Sequence, residues 1–340
     1  MVGAGAIAQS YAQAFENHEN ARLVAVADVR LDAARAMAHG FGCPSYDSYQ
    51  QMADESNLDA AIVCTPPDTH PEICLYFLDR KIHVLCEKPF SIDSLSARKM
   101  LEGAQKSGVR LTMGSKFRYV EDVIRAKSIV ASGILGEIIL FENAFTARVD
   151  MSNRWNSNPK VSGGGVLIDN GAHSIDLMRY FMGPIAEVQC VEGKRLQGLP
   201  VEDTVRVFVR SQNGIMGSID LSWSINKESE SYINIYGSHG TISIGWKESK
   251  YRQSSSRDWV VFGKGYNKLQ AFKSQIDNFA KTLLGQDILL ITARDAIASV
   301  EVIEAAYASL GQANWVPVKN GFTFSNELAT EPAIAIGGRR

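Results

Sequence analysis

At 340 residues, with 45% hydrophobic and 21% charged side chains, the chain carries enough apolar material for two globular domains. A net charge of −2 offers no electrostatic pull toward nucleic acid or an anionic membrane, and no apolar run reaches spanning length. Five scattered cysteines without a CxxC pair fit buried, reduced thiols of a cytoplasmic protein rather than a disulfide framework.

The first element is a turn. Gly3-Ala4-Gly5-Ala6-Ile7-Ala8 has glycines at its first and third positions and a small residue at its sixth. That pattern suits a tight strand-to-helix turn whose N–H groups approach a pyrophosphate. Only Met1 and Val2 precede it, so the strand there is expected to lack sheet hydrogen bonds. An amphipathic segment, Ala8–Phe15, comes next. The apolar run Leu23–Ala27 then ends at Asp28, where an acid can hold a ribose 2′-hydroxyl. Further strands are predicted at Ala60–Cys64, His83–Cys86 and Arg110–Met113. They alternate with helical spacing over Asp32–Ala38, His70–Leu78 and Leu95–Lys106, the last capped by Ser91 or Asp93. Alternating units of this kind predict a doubly wound parallel Rossmann sheet with ligands beyond its C-terminal strand ends.

After Tyr119 the pattern changes. A helix over Asp122–Ser132 leads into longer β-rich stretches at Glu137–Arg148, Ala186–Glu192, Thr204–Ser211, Gly214–Ser224, Tyr232–Tyr236 and Thr241–Gly245. Asn213-Gly214 and Gly237–Gly240 read as hairpin turns. Late helices are expected near Lys268–Leu284 and Ala293–Ser309. The fold class is thus α/β, with a Rossmann domain over 1–118. An α+β domain carrying a large, mostly antiparallel open sheet follows over 119–320, then a tail over 321–340. One face of that sheet is available for a homodimer or homotetramer.

Three segments could carry chemistry. Thr65-Pro66-Pro67-Asp68-Thr69-His70 follows a strand; its prolines stiffen the turn, and Asp68 or Thr69 can cap the next helix. Glu87-Lys88-Pro89 follows another strand, where Lys88 faces either the ligand crevice or open solvent. Gly163-Gly164-Gly165 enters a helix bearing Asp169, His173 and Asp176 at i, i+4 and i+7, on one face. An acid and an imidazole so spaced can handle a proton. A core histidine, an N-capping aspartate and metal ligation compete. Metal is set aside because no further His or Cys lies at ligand-like spacing.

In this order the motifs resemble those of the Gfo/Idh/MocA family (glucose–fructose oxidoreductase, inositol dehydrogenase, rhizopine catabolism). Glu87-Lys88-Pro89 matches its EKP motif, and Asp169-x-Gly171-x-His173-x-x-Asp176 matches its second motif. The resemblance runs from the Gly3 turn to Val302–Tyr307. It implies an NAD(P)-dependent oxidoreductase moving hydride at a hydroxyl or ketone carbon of a sugar, cyclitol or derivative. Lys88, Asp169 and His173 then form the catalytic group, with the base left open between Lys88 and His173. Implied cofactor contacts are Gly3, Gly5, Ala6, Ile7, Ala8, Asp28, Arg30, Thr65, Pro66, His70, Glu87 and Lys88. Asp28 favours NAD, and Arg30 leaves NADP use open.

Two segments depart from or elaborate on the pattern. Lys116, in Gly114-Ser115-Lys116-Phe117-Arg118-Tyr119, stands where asparagine is common. Arg148–Asn156 is rich in recognition groups, with Trp155 as a stacking face and Arg154 as an anion partner. Lys116, Arg118, Arg154 and Trp155 are therefore expected at the substrate, beside Asp169 and His173. With Arg148, the cations suggest an acidic or phosphorylated sugar. Two other readings stay open: redox-neutral glycoside cleavage with a held NAD, and a non-catalytic dinucleotide- or sugar-sensing regulator.

Overall fold

The structure is a computed structural model that describes residues 1–319; the expected tail, 321–340, lies outside the described residues. The first half builds short parallel strands: β1 (Val26–Ala27), β2 (Ser45–Tyr46), β3 (Ala60–Val63), β4 (His83–Glu87) and β5 (Leu111–Gly114). β1 pairs with β2, and β3, β4 and β5 form a second run. Val2 joins them, bridging Val63 on one side and Ala27 on the other, both parallel. The spatial order is therefore β2, β1, Val2, β3, β4, β5. The expected shortage of hydrogen bonds at the first strand does not arise. Val2 N–H donates to Ile62 O at 2.8 Å, Cys64 N–H to Val2 O at 2.7 Å and Gly3 N–H to Ala27 O at 2.7 Å.

The accompanying helices are α1 (Ala6–Phe15), α2 (Leu31–Phe41), α3 (Tyr49–Glu55), α4 (His70–Asp79) and α5 (Ser94–Ser107). They cover both faces, which is why the strands read as continuous apolar runs. Asp93, rather than Ser91, caps α5 by accepting the Ser96 N–H at 2.7 Å. Strand β2 and helix α3 escaped the sequence reading, since two residues show no periodicity and a seven-residue helix shows little.

The second half opens with α6 (Glu121–Ala131), then β6 (Ile138–Thr146), α7 (Pro159–Ser162) and α8 (Val166–Met182). Strands β7 (Ile185–Glu192), β8 (Thr204–Ser211), β9 (Met216–Ser222), β10 (Ser231–Gly237) and β11 (Gly240–Gly245) follow. The last strands are β12 (Ser249–Gln253), β13 (Val260–Gly263) and, at the far end of the described chain, β14 (Val316–Pro317). They form one nine-stranded sheet in the order β13-β12-β11-β10-β6-β9-β8-β7-β14, antiparallel except at the β6–β9 pair. Both expected hairpins form, β8–β9 around Asn213-Gly214 and β10–β11 with Gly237 opposite Gly240.

Helix α8 lies in the core against this sheet. Only Asp169, Asn170 and Tyr180 along it escape full burial. The late helices α9 (Lys268–Leu283) and α10 (Ala293–Gln312) return to the first half. Phe272, Ile276 and Phe279 join Tyr11 in one core, and Ala296, Ile297 and Val300 join Phe77 and Met100 in another. Each fully buried aromatic or aliphatic side chain there contributes about 1.5–3 kcal/mol. The two halves are thus locked by helices that come from late in the chain. All five cysteines are free and four are buried. Among the described residues, no helix is long and apolar enough to cross a membrane.

Candidate active site

A crevice of about 1170 Å³ opens at the C-terminal ends of the parallel strands, between the two halves. Gly3, Gly5, Ala6 and Ile7 line it, as do Asp28, Arg30, Thr65, Pro66, Glu87 and Lys88. The opposite wall is formed by Ala147, Val149, Met151 and residues 153–156, with Asp169, Asn170 and Trp223. Gly3 has φ +89°, and a Cβ there would come within 2.9 Å of the Cys64 carbonyl, so only glycine fits. Helix α1 begins at Gly5 with no side-chain cap, which leaves its first N–H groups free to meet an anion. Asp28 braces the turn from beside it. One carboxylate oxygen accepts the Ala4 N–H at 2.7 Å and the other the Arg30 N–H at 2.8 Å. The Arg30 guanidinium is 3.6 Å away and mostly exposed. These residues fit a dinucleotide: bare helix N–H groups stand beside an acid already aimed at the turn.

Two of the expected cofactor residues stand back from the crevice. Ala8 is fully buried in the α1 core. His70 is fully buried as well, with Nδ1 3.0 Å from Pro89 O and Nε2 2.9 Å from Thr65 O. It is a strut between the Thr65 turn and the Lys88-Pro89 turn, and burial pushes its imidazole down. Neither Asp68 nor Thr69 caps α4. The Thr69 hydroxyl is 2.7 Å from both Thr65 Oγ1 and Pro66 O, which folds the turn on itself.

The two motifs separated by some eighty residues meet here. Lys88 Nζ donates to Asp169 Oδ1 at 2.6 Å and to Asp169 O at 3.2 Å. Helix α8 is fixed for this contact at its start. One Glu202 carboxylate oxygen accepts the Gly165 N–H at 2.9 Å, the Leu167 N–H at 3.0 Å and the Tyr307 O–H at 2.8 Å. A Cβ on Gly165 would collide with the Glu202 carbonyl, so the glycine run serves close packing. A buried acid at a helix N-terminus also meets the favourable end of the macrodipole.

His173 sits one turn further along, buried, with Nδ1 3.3 Å from Ser115 Oγ and its ring edge-on to Phe117 at 5.0 Å. Burial first, then the charges of Lys116 and Lys88, push its imidazole well below the usual range. It is therefore neutral near pH 7. Lys116 Nζ lies 5.0 Å from the Phe117 ring centroid and 5.9 Å from that of Phe272. Burial and the Lys88 charge push it down to about 8.

The substrate expectation needs correction at several residues: Lys116 and His173 are not among those lining the crevice, and neither is Arg118. Arg118 is buried and bonds both carboxylate oxygens of Asp176, with Leu290 O at 3.1 Å. Its guanidinium is committed to that core pair, away from the crevice lining. Arg148 does not line the crevice either, whereas Arg154 and the 44% exposed Trp155 do. Several lining residues were missed. Asp47 and Tyr49 line the crevice from the β2–α3 region, and Glu72, joined to Tyr49 at 2.8 Å, lines it from α4. Asn170, beside Asp169, had a signal in its position within the second motif. Trp223 had none.

Two family models match the chain: "Oxidoreductase family, NAD-binding Rossmann fold" over residues 1–115, and "GFO/IDH/MocA C-terminal domain" over residues 123–243. An inositol 2-dehydrogenase of Rhizobium meliloti (strain 1021) is 24% identical, with 94% of this chain and 98% of that protein covered. A D-glucoside 3-dehydrogenase of Escherichia coli (strain K12) is 29% identical over 69% of this chain and 72% of its own length. The fold matches that of a levoglucosan dehydrogenase solved with NADH and levoglucosan. Its TM-score is 0.86 at 19% identity, covering 94% of this chain and 98% of that one. With the paired models on either side of a crevice built for a dinucleotide, the chain belongs to the Gfo/Idh/MocA family of NAD-binding oxidoreductases.

Proposed function

We propose that the chain oxidises a secondary alcohol of a sugar or cyclitol, or reduces the matching ketone, at the wall where Lys88 meets Asp169. The observation that carries this reading is the 2.6 Å Lys88–Asp169 contact at the mouth of a dinucleotide crevice. Bound NAD supplies a hydride acceptor. Gly5, Ala6 and Ile7 offer main-chain N–H groups to its pyrophosphate, Gly3 shapes the turn, and Asp28 offers a carboxylate to the adenosine ribose. That carboxylate opposes a 2′-phosphate, which favours NAD over NADP. Arg30, Thr65 and Pro66 flank the nucleotide, and Glu87 lies toward the nicotinamide ribose.

The proton is handled by side chains. Lys88 donates a hydrogen bond to the reacting oxygen and stabilises the charge that grows there as the C–H bond breaks. Asp169 fixes the direction of that ammonium. His173, kept neutral by burial and two nearby cations, has a lone pair for the hydroxyl proton. In the reductive direction the donor and acceptor exchange. Trp155 and Arg154 contribute a stacking face and a cation to substrate binding. No observation favours redox-neutral glycoside cleavage or a silent sensor over this reading. A homodimer or homotetramer through the outer face of the nine-stranded sheet belongs to the same reading, and sedimentation tests it.

The decisive assay offers cyclitols, aldoses, sugar acids and nucleotide sugars with NAD or NADP and follows nicotinamide absorbance. Turnover of at least one, abolished in Lys88→Met while NADH still binds, is the expected result. Surviving turnover in that variant removes Lys88 from the reaction.

A further inference from the structure

We propose that Tyr11 and Gln275 are positioning residues for this reaction: they hold the Glu87 carboxylate in place as the fixed negative charge that balances the Lys116 ammonium beside Lys88. The inference rests on the reading above, because it assigns support to the neighbour of the lysine used there.

Tyr11 projects inward from α1 and is fully buried. Its O–H donates to Glu87 Oε1 at 2.8 Å, while Gln275 Nε2, from α9, donates to the Tyr11 oxygen at 2.5 Å. With its lone pair engaged, the phenol has one use left for its proton, the carboxylate. The second oxygen of Glu87 accepts the Lys88 main-chain N–H at 3.1 Å. The Phe272 ring, edge-on to Tyr11 at 4.7 Å, fixes the phenol's plane.

Gln275 is buried, and its amide meets the Tyr11 oxygen, so the hydroxyl is held between that amide and the Glu87 carboxylate.

The surroundings show what the carboxylate is needed for. Burial pushes Glu87 up toward its neutral form, and Lys88, the Tyr11 hydroxyl and Lys116 oppose it. Burial pushes the Tyr11 phenol far up, so it remains a donor at any working pH. The neighbouring thiols of Cys64 and Cys86 are pushed well up by burial and carry no charge. Around Lys116 the charged groups are Lys88, Glu87, Lys268 from α9 and Asp169 from α8. Asp169 already faces Lys88 at 2.6 Å, and among the described residues Lys116 forms no ion pair. Glu87 is therefore the acid that balances the second lysine. Gln275 comes from the helix that packs against α1, so the late part of the chain reaches the lysines without touching the crevice.

The test reads Lys116 rather than turnover. The full-length protein is pulsed with acetic anhydride, which acylates only neutral amines, across pH 6–10, and Lys116 is followed by peptide mass spectrometry. Lys116 should show a midpoint near 8. In Tyr11→Phe Lys116 should react about tenfold faster near pH 6. Glu87→Gln should give the same gain, and adding Tyr11→Phe to it should give no more. Should Tyr11→Phe fail to fold, Gln275→Leu serves, with a gain of about two- to threefold. Unchanged lysine reactivity overturns the proposal, as does a full tyrosine effect when Glu87 is already Gln. Failure of the oxidoreductase reading looks different: no substrate on the panel turns over while the Lys116 shift persists.

Discussion

The two walls of the crevice are built in opposite ways. On the first-half wall, groups are held by buried ties: Asp28 on the main chain of the glycine turn, His70 between two turns, Tyr11 on Glu87. On the other wall, residues 147–156 run as an extension of the sheet. Ala147 N–H donates to Ser222 O at 3.0 Å and Val149 N–H to Trp223 O at 2.8 Å. One side chain then clamps the strap. Gln197 Oε1 accepts the Met151 N–H at 3.0 Å, while its Nε2 reaches Val149 O, Trp223 O and Ser224 Oγ at 3.0–3.2 Å. Beyond that clamp Asn153, Arg154 and Trp155 are exposed. Side chains on the exposed strap can change at less cost to folding than those on the braced wall.

That contrast can be broken most directly at Lys88. Lys88→Met should lower kcat by about 10³-fold with NADH affinity changed less than threefold, read by stopped-flow absorbance and nicotinamide fluorescence. A comparable loss of NADH affinity would merge the two roles. Glu202→Ala comes next. It leaves the Gly165 and Leu167 N–H groups and the Tyr307 hydroxyl without their shared acceptor, and about 3 kcal/mol of stability should go, measured by urea unfolding. Protonation supplies a third, smaller lever. His70 and His173 both lie below their usual value of 6.5 in the fold, so the unfolded chain binds protons that the native state does not. Stability should therefore fall as pH drops below about 6.5, by at most about 1.4 kcal/mol per pH unit for each histidine. His173→Asn should flatten that slope; an unchanged slope would show that the imidazole is already protonated when buried. The smallest effect belongs to the strap. Trp155→Ala should raise KM for the substrate by about three- to tenfold and leave the urea midpoint in place. A drop in stability there would show that the strap is braced after all.

The sequence was most legible where periodicity and special residues coincide. The βα alternation, the Gly3 turn and the spacing of Asp169 and His173 on one helix were all readable. The 3.6-residue period alone puts those two side chains on one face. What failed had no local signal. Arg118 looked like a crevice cation because its position follows strand β5, yet its partner, Asp176, lies on α8, and nothing nearby in the chain announces the pair. His70 reads as a strand-end ligand until its two carbonyl neighbours, one from the turn after a later strand, are known. The glycine run before α8 read only as the entry to that helix. Its cause is distant packing: Ile92, Tyr307 and Glu202 occupy the space that side chains at Gly163, Gly164 and Gly165 would need. Tertiary partners of this sort decide which of several chemically plausible positions becomes the site.

Val2 carries a consequence of its own. The ladder of the parallel sheet narrows there to a single residue bonded on both edges. On one side lies the flap of β1 and β2; on the other, the plate of β3, β4 and β5. A dinucleotide laid over Gly3–Ile7 and reaching Asp28 would straddle this seam and stitch it shut. Amide protons at Ala27 and Cys64, which cross the seam, should exchange more slowly once NADH is added, while those inside β4 keep their rates.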